Sequence, residues 1–310
     1  MTLGQELAYV ALVTRDVEAA ATVFERHLGL RRTDVETGTG KTPVFSVGAS
    51  ALAVFPIGHP YVDGEDKPGV HHIALAVTDL DSSVQAASKA GVPPANGKSI
   101  AGLGDSKRIQ LDLNATASVN TWLMTPLDLN RSPSLIIERI DHLGIASADN
   151  SRAIRAWSGQ IGCPLESQQT DMEVLIPVES FTSDKYGVVY HSRPPEPVGG
   201  LRVTFIRVGD CELEFLQNFD PSHGVRVDPS RAGTTRQDQG AITKYIASRG
   251  AGLHHVALKT PDIDGTLAAL DKAGIPLIDR RGRPGSRRAL IGFVHPKAFG
   301  GVLVHFAQRD

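Results

Sequence analysis

Two stretches of the chain repeat one pattern of hydrophobic and polar positions. Residues 252–277 read GLHHVALKTPDIDGTLAALDKAGIPL, and residues 69–94 read GVHHIALAVTDLDSSVQAASKAGVPP. Apolar residues first alternate with polar ones, which predicts a strand, and then recur every three or four positions, which predicts a helix. Thr260 is of the type that caps the start of a helix, and Gly274 is of the type that ends one. The chain therefore contains an internal repeat of a strand followed by a helix.

Weaker copies of this unit occur at residues 8–30 and 141–165, and the copies continue into short alternating β segments. Each unit therefore predicts the element order βαβββ. A single unit would leave one face of its open sheet exposed, whereas two paired units bury that face inside a curled sheet. We predict an α+β fold of four tandem βαβββ modules, paired into two cup-shaped domains.

The boundary between the two pairs is marked by TPLDLNRSPSLI at residues 125–136, where Pro, Asn, Asp and Ser cluster. The predicted domains are residues 1–130 and residues 137–310. The spacing between matching segments places two insertions in the second domain, at roughly 166–200 and 222–250.

Composition narrows the class of partner. The chain has 310 residues, of which 41% are apolar, and its 32 basic and 34 acidic residues give a formal charge of −2. This near balance of charge gives the protein no strong positive potential that would attract nucleic acid or an anionic membrane. No apolar run approaches the roughly 18–20 residues of a membrane span. Cys163 and Cys211 lie outside any paired spacing. We expect a cytoplasmic protein with a small-molecule substrate, without nucleic-acid or membrane partners, for which a homodimer is an open option.

Side chains that could bind a metal occur at the positions that the repeat superimposes. Alternate residues of a strand share one face, so these positions point into the same cup. The second domain carries His142, Glu214, His255 and His305 there. The first domain carries Tyr9, Ala53, His72 and, by a looser match, Trp122. We therefore expect the site in the second domain and a lost site in the first. His71 and His254 are expected on the opposite strand faces.

Three imidazoles and one carboxylate suit one divalent ion, and the choice among Fe, Mn, Zn, Co and Ni stays open. The competing interpretation is four ordinary buried side chains. Unpaired polar groups in one apolar cup would each cost about 1–3 kcal/mol, so a shared ion explains the set better.

The motifs IDHLGIA (140–146), LEFLQ (213–217) and HPKAFGGVLVHF (295–306) give the chain a family resemblance. With the repeated βαβββ units, they resemble the vicinal oxygen chelate superfamily, which includes glyoxalases, bleomycin-resistance proteins, epimerases and ring-cleaving dioxygenases. Within it, the second half most resembles the methylmalonyl-CoA epimerases. The resemblance implies metal ligands at His142, Glu214, His255 and His305. At the last position the epimerases carry a glutamate that also acts as acid and base.

The resemblance and the ligand set together imply a metal-dependent isomerase, epimerase or lyase. Such an enzyme would bind neighbouring oxygens of its substrate and stabilise an enolate or enediolate. A general base is also required, and the candidates are Glu212, His305, His191 and Tyr190. The insertion at roughly 166–200 is expected to cover the cup and to bind substrate, because long loops in compact domains are often functional. Its substrate-binding candidates are Phe181, Tyr186 and Arg193.

Further interpretations stay open. The run RRGRPGSRR at residues 280–288 is either an anion-binding segment or a solvated loop. Extradiol-type Fe(II) dioxygenases of the superfamily also combine a metal-free first half with a metal-bearing second half, so a dioxygenase is the second functional hypothesis. A non-catalytic small-molecule-binding protein is the third, and the loss of ligands that it would predict is seen only in the first domain.

Overall fold

The computed structural model describes residues 6–176, 178–192, 194, 196–219 and 241–309. These residues form two curled eight-stranded sheets, which confirms the predicted α+β fold with two cups. Each sheet combines two βαβββ modules, and the first strands of the two modules pair antiparallel at its centre.

The first sheet has the strand order β2-β3-β4-β1-β5-β8-β7-β6. Its strands are β1 (Glu6–Thr14), β2 (Arg32–Glu36), β3 (Lys41–Val47), β4 (Ser50–Pro56), β5 (Gly69–Ala76), β6 (Ile100–Ala101), β7 (Lys107–Gln110) and β8 (Thr121–Met124).

The second sheet repeats this order as β10-β13-β14-β9-β15-β18-β17-β16, with two extra strands in a separate hairpin. Its strands are β9 (Arg139–Ala146), β10 (Leu165–Leu175), β13 (Glu196–Val208), β14 (Cys211–Phe219), β15 (Gly252–Lys259), β16 (Arg283–Pro284), β17 (Leu290–Val294) and β18 (Val304–Gln308). The hairpin consists of β11 (Val178–Ser183) and β12 (Gly187–Ser192).

Each module contains one helix, and an aspartate caps the start of each. The helices are α1 (Val17–Thr22), α2 (Leu80–Lys89), α3 (Asn150–Ile154) and α5 (Ile263–Lys272), and α4 (Ala241–Arg249) precedes β15. The capping residues are Asp16, Asp79, Asp149 and Asp262. The prediction of Thr260 as a cap was wrong, because Asp262 accepts the hydrogen bond from the backbone N–H of Gly265. None of the helices in the described ranges is long and apolar enough to cross a membrane.

The helix-covered faces of the two sheets share one hydrophobic core, which extends from Leu7 to Phe306. Hydrogen bonds between the halves reinforce it. The Thr14 hydroxyl donates to the backbone carbonyl of Phe299 at 3.0 Å, and the Trp157 indole N–H donates to the carbonyl of Thr116 at 3.0 Å. In each half, a residue of the first module therefore forms a hydrogen bond with a loop in the second module of the other half.

Substitution of Gly300 tests this contact between the halves. Gly300 has a φ of +59°, and an added Cβ would lie 2.9 Å from the backbone nitrogen of Asp16. Gly274 has a φ of +76° with open space around it, so Gly274→Ala measures the conformational cost alone. We expect Gly274→Ala to lower the free energy of unfolding by about 1–2 kcal/mol. Gly300→Ala should cost about 1–3 kcal/mol more, because backbone atoms must move.

Urea denaturation of the two variants makes the measurement. Equal losses of stability would show that the Gly300 contact does not constrain the halves.

Candidate metal centre

The four predicted ligand residues lie on adjacent strands at the centre of the second sheet. His142 is on β9, Glu214 on β14, His255 on β15 and His305 on β18, and these strands are neighbours in the order β14-β9-β15-β18. In the strand register Glu214 lies beside Gly144, which in turn lies beside His255. Because Gly144 has no side chain, the His255 ring occupies the space that a Cβ would fill.

The structure brings the four side chains together in a buried position. All four are at most 6% exposed. The Nε2 atom of His142 lies 3.1 Å from Nε2 of His305 and 3.3 Å from Oε2 of Glu214, and His255 Nε2 lies 3.7 Å from the same oxygen. One ligand atom from each of the three histidines lies within 4.8 Å of the others. The spacing is short enough for the atoms to share one cation.

Charges within the cluster shift its protonation. Burial disfavours the charged form of His142, but Glu214 and Asp141 outweigh this effect and raise its pKa to about 9. Burial and the neighbouring imidazoles of His255 and His142 hold the pKa of His305 well below its usual range. Within the described ranges, His255 Nε2 and His305 Nδ1 have no hydrogen-bond partner. The cluster therefore contains buried nitrogen atoms that other groups of the protein do not satisfy.

Asp141 supports the cluster and was missed by the sequence analysis. The pairing of β9 with β15 skips Asp141, which forms a β-bulge, and its Oδ2 atom lies 2.9 Å from Nδ1 of His142. Arg309 Nη2, at 2.8 Å from Oδ2, and Arg139 Nη2, at 3.2 Å from Oδ1, hold the carboxylate in turn. A carboxylate on the second ring nitrogen fixes the orientation of a ligand histidine. A strict alternation of strand faces predicts the opposite direction for Asp141.

A second bulge corrects the expectation for His254. The pairing skips His254 as well, and its Nδ1 atom lies 3.0 Å from Nδ1 of His255. His71 has the same relation to His72 in the first sheet, at 2.7 Å. These first members of the two histidine pairs are therefore in contact with the second members and do not simply face away.

The cluster opens into a cavity of about 30 Å³. The rest of its lining is Asp141, Phe205, Leu216, Gly285, Ser286, Ala289, Ile291, Phe293 and Arg309. About 10–15 Å³ of such volume holds one water molecule, so the cavity is large enough for an ion together with water. Gly285, Ser286 and Ala289 belong to one loop, which we call the cover loop (residues 285–289). The cover loop therefore borders the space next to the ligand cluster.

Arg287 fixes the cover loop. Its backbone N–H donates to Gln169 Oε1 at 3.0 Å, and its Nη1 donates to Glu212 Oε1 at 3.0 Å. The guanidinium carbon also lies 3.6 Å from the centre of the Phe205 ring. Arg287 has a φ of +53°, a left-handed conformation that is unfavourable for a residue with a side chain. The run of arginines at 280–288 thus contributes one residue that anchors the loop over the cavity.

Glu212 binds Arg287 through its carboxylate. Its carboxylate pairs with Arg287 and also accepts a hydrogen bond from Arg309 Nη2 at 2.6 Å. Burial would raise the pKa of Glu212, but the two arginines outweigh it and lower the pKa below its usual value. A carboxylate with a lowered pKa accepts protons poorly. The structure therefore argues against Glu212 as the general base and indicates a structural role.

The described residues of the insertion do not line the cavity. Strands β10 and β13 continue as a long antiparallel pair at the edge of the sheet, and β11 and β12 form a separate hairpin beyond them. Phe181, Tyr186 and Tyr190 are 52%, 65% and 74% exposed, and His191 is exposed as well. None of these four residues lines the cavity. The exposure of these side chains gives no support to the expectation of a lid, and their assignment to substrate binding stays a prediction; Arg193 lies outside the described residues.

The strands of the first cup pair in the same register as those of the second cup, but they carry different side chains at the ligand positions. Tyr9 replaces His142, Ala53 replaces Glu214, and Trp122 lies beside Ala74 as His305 lies beside Ala257. Apolar side chains fill this cup, among them Phe55 and Leu103. Within the described residues, His142, His255 and His305 are the one group of potential ligands that meets the distance limits for a metal.

Comparison with known sequences gives the class of the protein. Sequence models of the Glyoxalase/Bleomycin resistance protein/Dioxygenase superfamily match residues 6–107 and residues 141–293. The two matches fall on the two cups and together cover more than half of the chain. The chain belongs to this superfamily, which confirms the resemblance to vicinal oxygen chelate proteins.

Individual relatives have low sequence identity to the chain. The mitochondrial methylmalonyl-CoA epimerase of Mus musculus is 26% identical over 129 residues, which cover 42% of this chain and 64% of that enzyme, less than two thirds of its length. The uncharacterized protein YqjC of Bacillus subtilis is 23% identical over 172 residues, 56% of this chain and 93% of that protein. A mutant of 4-hydroxymandelate synthase from Streptomyces coelicolor covers 100% of this chain and 94% of its own, with a TM-score of 0.65 and 15% identity. The last likeness shows a shared fold.

Substitution of Glu212 tests its structural role. Glu212→Gln leaves Arg287 and Arg309 without their shared carboxylate, and we expect the free energy of unfolding to fall by about 2–3 kcal/mol. Glu166→Gln is the matched control, because the Glu166 side chain is 38% exposed and pairs with Arg287 as well. The control should lose less than about 1 kcal/mol.

The effect should depend on pH, measured by urea denaturation in EDTA. Folding lowers the pKa of Glu212, so its stabilising contribution is present above the ordinary carboxyl pKa and disappears as the pH falls through the folded value. The difference between the wild type and Glu212→Gln should therefore shrink in acid. A difference that stays constant, or a Glu166→Gln variant that is equally unstable, would refute the structural role.

Proposed function

We propose that the protein is a divalent-metal-dependent isomerase, epimerase or lyase of the superfamily, which binds neighbouring substrate oxygens and stabilises an enolate or enediolate. The observation that carries the proposal is the buried cluster of His142, Glu214, His255 and His305, in which two imidazole nitrogens have no partner within the described structure. Two of the three relatives named above, the epimerase and the synthase, are enzymes, which supports catalysis in general.

The donor set fits a divalent cation. Three imidazoles and one carboxylate are typical ligands of Zn²⁺, Fe²⁺, Mn²⁺, Co²⁺ and Ni²⁺, and binding would displace the proton that Glu214 and Asp141 favour on His142. The burial of His255 Nε2 without a partner among the described residues is costly unless a cation uses its lone pair. A bound divalent ion would supply electrophilic stabilisation of substrate oxygens. With a single carboxylate ligand the site keeps a net positive charge, which favours an anionic enolate over a neutral ground state.

His305 is the residue that we assign to proton transfer. It lies at the position where the resembled epimerases use a glutamate as acid and base. When His305 is not a ligand of the ion, its Nδ1 atom, which has no hydrogen-bond partner among the described residues, offers a lone pair inside the cavity that can accept a proton. Glu212 is held by arginines, and His191 and Tyr190 lie on the exposed hairpin. His305 is thus the candidate base that the cavity itself contains.

The reaction is inferred to differ from that of the epimerases. Residues 199–207 of β13 read GGLRVTFIR, without the second glutamate that the epimerases use on this strand. Two-base exchange at one carbon would therefore lack both of its usual carboxylates. An imidazole base suits a one-base isomerisation or an elimination better than a two-base epimerisation.

A dioxygenase remains the second candidate, because the ligand cluster of the described residues is confined to the second half of the tandem chain. Two-domain extradiol dioxygenases have this arrangement, as the sequence analysis noted. The two candidates differ in whether molecular oxygen is consumed.

Metal analysis tests the centre. The purified protein should contain one divalent ion per chain after expression in metal-replete medium, and His255→Ala should lose it. His72→Ala is the matched control, since His72 holds the equivalent register position in the first cup, and it should retain the ion. Plasma mass spectrometry gives the stoichiometry. A metal-free wild type, or equal losses in both variants, would contradict the assignment and favour a binding protein.

Isotope exchange tests the chemistry. The metal-loaded protein should exchange the carbon-bound proton next to the carbonyl of hydroxyacetone or methylmalonyl-CoA for deuterium in D₂O, as followed by NMR. His305→Gln should lower the exchange rate by about 10²–10⁴-fold, the usual contribution of a general base. Oxygen uptake with catechol and no exchange would replace the isomerase proposal with the dioxygenase. If the metal-loaded protein shows neither proton exchange nor oxygen uptake, none of these probe compounds is a substrate.

A further inference from the structure

The first cup contains a buried cation of its own. Arg108, on β7, is 2% exposed, and its guanidinium carbon lies 3.6 Å from the centre of the Tyr61 ring and 4.0 Å from the centre of the Trp122 ring. Both rings lie within cation–π distance of the guanidinium and stabilise its charge. The charge is thus held among aromatic side chains in an otherwise apolar cup.

The hydrogen-bonding groups of this arginine are largely unused. Its Nη2 donates to the backbone carbonyl of Tyr61 at 2.8 Å. Among the described residues, its Nε and Nη1 atoms have no hydrogen-bond partner, and neither does the indole N–H of Trp122. All three groups are donors, so the missing partner is an acceptor. Within the described part of the chain, Arg108 forms no ion pair with a carboxylate.

The polar groups nearby are neutral. The Tyr9 hydroxyl lies 2.9 Å from the Tyr61 hydroxyl and 3.0 Å from Nε2 of His72. Burial holds the pKa of Tyr9 well above its usual range, so the phenol keeps its proton. Burial, His71 and Arg108 hold the pKa of His72 well below its usual range, so the imidazole stays uncharged. These neighbours therefore do not compensate the charge of Arg108.

The position of Arg108 corresponds to that of Ile291 in the second cup. Arg108 pairs with Met124 on β8, and Ile291 pairs with Ala307 on β18, two residues beyond Trp122 and His305 respectively. The guanidinium thus lies beside Trp122, which replaces His305. The first cup has lost three of four ligand-type side chains and has gained a fixed organic cation next to the same position.

We propose that the first cup binds a small monocarboxylate anion through Arg108. The unpartnered Nε and Nη1 donors of the planar guanidinium suit the acceptor oxygens of a carboxylate. A single negative charge balances the single cation, whereas a phosphate dianion would leave net charge in a dry cup. The apolar lining, with Ala51, Ala53 and Leu103, suits the hydrocarbon part of an organic acid.

Titration with sodium propionate tests the site, with sodium chloride at equal ionic strength as the control. The background is the His255→Ala variant in EDTA, so that a carboxylate cannot bind through a metal in the second cup. Trp122 and Trp157 are the two tryptophans, and Trp122 lies on the arginine. We expect a saturable change in tryptophan fluorescence with a dissociation constant of about 1 mM, because so few ligand atoms contribute. The unfolding temperature should rise by about 2–4 °C at about five times that concentration.

The Arg108→Met variant should lose both responses, and Trp122→Phe should lose the fluorescence change while it keeps the thermal one. Without propionate, Arg108→Met should be at least as stable as its background, because an unpaired buried charge has been removed. Absence of any saturable response in the Arg108-containing protein would overturn the proposal without reference to a variant. An unchanged response in Arg108→Met, or an equal response to chloride, would overturn it as well.

Discussion

The second cup depends on one constraint: four adjacent central strands must place His142, Glu214, His255 and His305 at the same depth on one face. A shift of one residue in any strand would turn its ligand away, because side chains alternate with a period of two. The constraint is met by parallel and antiparallel pairings around Gly144, whose missing side chain leaves room for an imidazole. The helices and the shared core then hold these strands in register.

Duplication explains why the two cups share a framework and differ in their contents. Both sheets have the same strand order and the same pair of bulges, at Ala8 and His71 in one and at Asp141 and His254 in the other. One cup gathers imidazoles and a carboxylate, and the other gathers aromatic rings around a guanidinium. In both, an apolar cup surrounds polar atoms that the protein leaves without partners. Burial of such atoms lowers stability, so the contents of both cups are better explained by function than by stability.

The repeat made the fold and the four candidate ligands predictable, because matching offsets along the chain carry strand positions from one module to the next. Asp141 was not predictable, since the bulge that turns it toward His142 interrupts the alternation on which the prediction was based. The role of Glu212 depended on Arg287 and Arg309, which are remote in sequence. The position of the hairpin with Tyr190 was not predictable, because length and composition show that an insertion exists but not the direction in which it extends.

Arg287 connects the cover loop to four partners at once: Gln169, Glu212, Glu166 and the Phe205 ring. Release of the loop would therefore break two ion pairs, a backbone hydrogen bond and a cation–π contact together. Salt screens exposed charges far more than buried ones, and Glu166 is 38% exposed whereas Glu212 is 11% exposed. High ionic strength should therefore weaken the outer ion pair and leave the inner one, so that the loop keeps its attachment over the cavity in concentrated salt.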